Sequence, residues 1–139
     1  MARYPKSEQV FYPDRAKTFR CDKDLSPVAT SFWKAVAPEL LAKGVLAKID
    51  RPAFRSLCQC YSLLQQASLE MEAAGCTTEN LKTHEIKKHP SAGIYKSQAD
   101  LFVKMLAQFG LSPSSRGKIR CQPNEEDDDI NRILNQGIK

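Results

Sequence analysis

Two cysteines one residue apart, two histidines downstream of a third cysteine, and five consecutive carboxylates are the groups in this 139-residue chain whose types and spacing could do chemistry. Cys58-Gln59-Cys60 resembles half of a zinc-binding pair, but it lies in a stretch with helical periodicity, where residues two apart point to different sides. His84 and His89 flank a proline-ended loop with Cys76 nearby; this lacks a second half-site at ligand spacing, and surface histidines account for it better. The run Glu125 to Asp129 could attract magnesium, as any carboxylate cluster could, yet it suits a solvated segment equally well. Six glycines are scattered, and none builds a phosphate-cradling loop followed by Gly-Lys-Ser/Thr. No local pattern supports a Cys/His nucleophile. The expectation is no active site, no metal and no cofactor.

Charge is the other chemistry available. The net charge of +5 is unevenly spread: residues 1–24 carry +2, residues 25–120 carry +6 and residues 121–139 carry −3. A basic body with an acidic end suits a chain that meets a polyanion in one place and another partner elsewhere. Five cysteines, an odd number without a framework, point to reduced thiols. No apolar run approaches the roughly 18 residues that a membrane span requires, so a soluble, cytoplasmic protein with no membrane contact is expected.

The elements that must position these groups read as mostly helical, an all-α class with three main helices and a short fourth. Residues 1–24 show neither a period of 2 nor one of 3.6. They are either a loose terminus or an arm whose Arg3, Lys6, Arg15, Lys17 and Arg20 reach phosphates while aromatics dock. Leu25-Ser26-Pro27 starts the first helix, with Phe32, Trp33, Val36 and Leu40 on its apolar face; Pro38 predicts a kink or break near Ala37, and Gly44 the end. Asp50 is placed to cap the second helix, with Ile49 and Phe54 as a hydrophobic staple, running from about Arg51 to Ala74 with Gly75 as its stop. Its apolar positions cover more than one face, which one neighbouring helix does not satisfy; another subunit is the expected cover.

Between Cys76 and Lys88 the chain is polar, and Thr77-Thr78 with Thr83 through Ile86 could form a small hairpin around Asn80, or an irregular loop. His89-Pro90 opens a third helix with Leu101, Phe102, Met105, Leu106 and Phe109 on one stripe; Gly110 stops it and Leu111-Ser112-Pro113 restarts a short fourth. After Arg120 the composition turns acidic, then Ile130, Ile133, Leu134 and Ile138 recur at helical spacing. That segment is either disordered or a peptide that folds on a partner. The domain organisation is thus an arm over 1–24, a helical core and oligomerisation domain over 25–120, and an acidic tail over 121–139.

The ordered set of Leu25-Ser26-Pro27, Trp33, Asp50, Gly75, His89-Pro90 and Phe109-Gly110-Leu111-Ser112-Pro113-Ser114-Ser115-Arg116 resembles the small subunits of phage terminases, over about residues 25–120. The expected family pattern has Asn-Pro before the third helix, where this chain has His89-Pro90. Asn is a strong N-cap and His is not, so the start is expected to be looser, or capped by Ser91. The resemblance implies a non-enzymatic packaging factor in the host bacterial cytoplasm. It would bind double-stranded viral DNA, assemble into a ring of roughly eight to twelve subunits closed by cyclic symmetry, and recruit and regulate a large subunit that carries the ATPase and nuclease. Arg116 is the basic residue inside the family motif. Arg51, Arg55, Lys82, Lys87, Lys88, Lys118 and Arg120 join the DNA-binding candidates on charge alone. Phe54, Leu57, Tyr61, Leu64 and Met71 are the candidate ring interface, and Ile130, Ile133 and Leu134 the candidate contact for the large subunit. The competing readings are a helix-turn-helix regulator, for which the second helix is too long and apolar, and an adaptor that binds protein only.

Overall fold

The computed structural model describes residues 16–119. Ser26 accepts a hydrogen bond from the Ala29 amide at 3.2 Å and Pro27 follows it at the first helical position, so α1 (Pro27–Ala42) starts where its cap dictates. Pro38 lies inside α1 without ending it, so of the kink or break predicted near Ala37 the break does not occur. Ala37 and Leu40 are buried on either side of the proline, and packing holds the helix through it. Gly44, at φ +66°, closes α1: the Val45 amide reaches the Leu40 carbonyl and the Gly44 amide the Leu41 carbonyl, the paired bonds of a left-handed C-terminal cap.

A short 3-10 turn (Lys48–Asp50) leads into α2 (Arg51–Ala74). Two expectations fail here. The Asp50 carboxylate accepts from the Ala47 amide at 2.8 Å and so closes the 3-10 turn, leaving no side-chain cap on α2. Ile49 is 66% exposed while Phe54 is fully buried, so the two do not form a staple.

Along α2 the residues Leu57, Cys60, Leu64, Ala67 and Met71 alternate steps of three and four, a seam suited to an antiparallel partner. That partner is α3 (Pro90–Gln108). The Cys60 thiol meets the Gln98 carbonyl at 3.2 Å, Ser91 donates to Glu70, and Phe54 meets Phe109 at the far end, so the two helices run in opposite directions along each other. They are joined by a two-stranded antiparallel hairpin, β1 (Thr77–Glu79) and β2 (Ile86–Lys88), paired Thr77 to Lys88, Thr78 to Lys87 and Glu79 to Ile86. The second strand begins later than the predicted Thr83. Asn80 Oδ1 accepts from the Lys82 amide and His84 takes a left-handed φ of 56°, so the chain is still turning at 80–85.

The α3 start is also settled: His89 Nδ1 accepts from the Ser91 amide at 3.2 Å, which makes His89 the cap. Ser91 is instead buried and spends its hydroxyl on Glu70. Gly110 repeats the Gly44 cap with the Leu111 amide on the Leu106 carbonyl, and α4 (Pro113–Arg116) follows. A Cβ on Gly110 would meet Ile119 Cδ1 at 2.5 Å, so the last turn folds back over this glycine.

The core gathers where α1 covers the first half of α2. Trp33, Phe54, Leu46, Leu57 and Cys58 are its most enclosed side chains. Phe19 stacks on Trp33 at 5.3 Å between ring centres, and its carbonyl accepts the Trp33 indole N–H at 3.1 Å. Ala16 and Leu25 are buried too, and the Ala16 amide bonds the Leu46 carbonyl at 3.1 Å. Residues 16–24 are thus packed onto the helices, so of the two readings left open for 1–24 the loose terminus does not hold for this part; residues 1–15 lie outside the described residues. The cause is apolar anchoring by two residues, Ala16 and Phe19, three apart in an otherwise polar stretch.

Candidate nucleic-acid interface

The structure sorts the basic candidates into three groups. Arg51 and Arg55, one turn apart on α2, face Asp22 and Asp24. Arg51 bonds Asp22, and Arg55 bonds Asp22 at 2.8 Å and grips Asp24 through both guanidinium nitrogens at 3.0 and 2.7 Å. These cations hold both carboxyls below the usual aspartate range, and the carboxylates in turn raise Arg55. Their charge is compensated within the subunit. The sequence signal covers only half of this: two arginines four apart share one face of a helix, while Lys23 and Asp24 lie in a turn that no periodicity announces.

The second group sits on the hairpin. Lys82 occupies its exposed turn, and Lys87 and Lys88 occupy adjacent strand positions, which place them on opposite faces. Lys87 pairs with Glu85 at 3.1 Å and His84 with Glu79 at 2.9 Å, both on the surface. Leu81, 88% exposed, and Ile86 put apolar surface beside these lysines. The third group, Arg116 and Lys118, is exposed at the other end of α3, about 28 Å away for a helix of its length. Lys17 and Arg20 are exposed on the packed N-terminal segment. Arg3, Lys6, Arg15 and Arg120 lie outside the described residues, as do Ile130, Ile133 and Leu134.

The candidate oligomer surface divides as well. Phe54 and Leu57 are fully buried by the subunit itself and are corrected to core residues. The wide apolar girdle of α2 is largely consumed within the chain because two helices, α1 and α3, pack on it. Tyr61, stacked on Phe32 at 4.6 Å, and Leu64 and Met71 are half-buried. What remains open lies past the reach of α1, whose N-terminal cap Ser26 touches Ser62 at 2.7 Å. Beyond that point α2 and α3 project as a two-helix stalk bearing exposed Leu63, Leu69, Ile94 and Tyr95, with Leu101 and Val103 further along α3. Periodicity puts Leu101 on the core stripe; its flank faces outward instead.

Among the described residues no group of three or more His, Cys, Asp or Glu could hold a metal. The described cysteines 21, 58, 60 and 76 are free. Burial pushes the Cys58 thiol up to about 12 and raises Cys60, which leaves both unreactive. A groove of about 610 Å³ opens between the C-terminal end of α1 and the α3–α4 corner. Leu40, Val45, Phe109, Leu111 and Ile119 line it, with Lys43, Arg116 and Glu39 among its charged walls.

The described residues form a mostly helical module with a projecting two-helix stalk and cations in separate patches. The sequence profile of the family described as "Phage terminase, small subunit" matches residues 29–126, most of the chain, and the protein belongs to that family, which serves phage DNA packaging. No curated protein and no solved structure matches the chain.

Proposed function

We propose that the protein is the non-catalytic, DNA-binding subunit of a packaging terminase, acting in the host bacterial cytoplasm. It assembles into a closed ring of roughly eight to twelve copies, holds double-stranded viral DNA and recruits the large subunit, where the ATPase and nuclease reside. The observation that carries this reading is the stalk: it presents leucines, an isoleucine and a tyrosine along a surface that α1 leaves uncovered. Large apolar side chains left exposed along one projecting part of a subunit point to a contact site. Lys82, Lys87 and Lys88 on the hairpin, with Lys17 and Arg20, are the phosphate contacts favoured among the described residues, because Arg51 and Arg55 share two aspartates in a partly buried network, whereas Lys87 makes only one exposed pair, with Glu85. Residues 130–134 remain the proposed contact for the large subunit.

The reading is tested by light scattering and by DNA titration across salt. A ring-sized particle is expected, with affinity falling about tenfold or more between 50 and 200 mM salt if several phosphates are contacted. A monomer at micromolar concentration, or binding indifferent to salt, overturns it.

A further inference from the structure

We infer that the groove between α1 and the α3–α4 corner is the docking site for the acidic-apolar segment of the same chain, residues 125–138. The floor is apolar, formed by Leu40, Val45, Phe109 and Leu111. Lys43 and Arg116 line it from two different elements, and neither is in any ion pair among the described residues. Glu39 contributes one opposing charge, leaving an excess of one cation. The occupant carries the complementary pattern in one stretch: five carboxylates, Glu125 to Asp129, followed by Ile130, Ile133, Leu134 and Ile138 at helical spacing.

The attachment point makes this segment the best-placed occupant. Ile119 is itself a wall of the groove, folded over Gly110, so whatever follows it is tethered at the groove. The five residues 120–124 ahead of the first carboxylate span up to about 18 Å when extended, and their anchor, Ile119, already lines the groove. A tether this short gives an effective concentration on the order of millimolar, so even a weak intrinsic affinity keeps the site occupied. Docking covers Ile130, Ile133 and Leu134. If these residues contact the large subunit as proposed above, the groove holds that contact in reserve; the docking itself does not depend on that role.

Trypsin cleavage after Arg132, followed by mass spectrometry on the full-length protein, tests the docking without the large subunit or DNA. A synthetic peptide of residues 121–139 supplies the unprotected rate. Cleavage in the intact protein is expected to be about tenfold slower than in the peptide, the protection that an effective concentration of order millimolar confers on an affinity near 0.1 mM. The exposed-site variant K43E/R116E and the tail variant I130S/I133S should both return to the peptide rate, and protection should be unchanged on dilution at constant assembly state. Cleavage of the intact protein at the peptide rate overturns the inference. So does protection that persists in K43E/R116E, or protection that fades on dilution, which would assign the segment to a neighbouring copy.

Discussion

Asp22 and Asp24 illustrate how little of an ion pair is visible until the chain folds. In the unfolded protein these carboxylates take up protons near their ordinary value of 3.8; in the folded protein the Arg55 and Arg51 guanidinium groups keep them ionised to lower pH. Their contribution to stability is therefore present above the ordinary value of 3.8 and lost as pH falls below it through the lowered folded-state values. D22N/D24N should flatten the acid limb of stability over that window, measured by urea midpoints at each pH, while a limb as steep as wild type would mean the pairs do not form in solution. The cysteines differ by environment alone. Cys76 is exposed, whereas Cys58 and Cys60 are buried with raised thiols. A thiol reagent should label Cys76 in the native protein and reach Cys58 and Cys60 only on denaturation, a contrast that peptide mapping would reveal.

At the scale of elements, α2 is where composition and structure diverge most usefully. Its wide apolar coverage reads as spare surface for another subunit, but Phe54 packs edge-on against Trp33 at 4.8 Å, Phe109 at 5.6 Å and Phe19 at 5.6 Å, all within one chain. F54A should destabilise the subunit by about 3–5 kcal/mol, since it empties the point where three segments meet; chemical denaturation would measure the loss. Leu69, 62% exposed on the stalk, behaves oppositely. L69E should leave the stability of the subunit within about 0.5 kcal/mol of wild type. Its effect belongs to assembly: particle mass by light scattering should drop, and an unchanged mass would remove this face from the ring interface.

For the whole molecule, the arrangement separates cations that an unfolded chain would present together. The hairpin lysines stand at one end of α3 and the groove cations at the other, with Arg51 and Arg55 compensated near the latter. K87E/K88E should therefore weaken DNA binding and lower its salt slope by about 2, one for each phosphate that a lysine no longer neutralises. R51Q should change the slope little, and equal effects from the two variants would restore a single continuous basic surface.

Local punctuation is what the chain dictates before any distant residues meet. Ser26-Pro27, Gly44, Gly75, Pro90 and Gly110 mark the helix ends at the observed positions, because caps, proline starts and left-handed glycine stops depend on neighbours a few residues away. The family resemblance rests on the same punctuation. Tertiary structure decided what required residues far apart to come together: Phe19 on Trp33, Asp22 and Asp24 on Arg55, Ser91 on Glu70, and the groove walled by Lys43 and Arg116. A periodicity reports that a face is apolar but not which neighbour covers it. That is why the α2 girdle is legible as buried surface, while its division between the core and the open stalk is not.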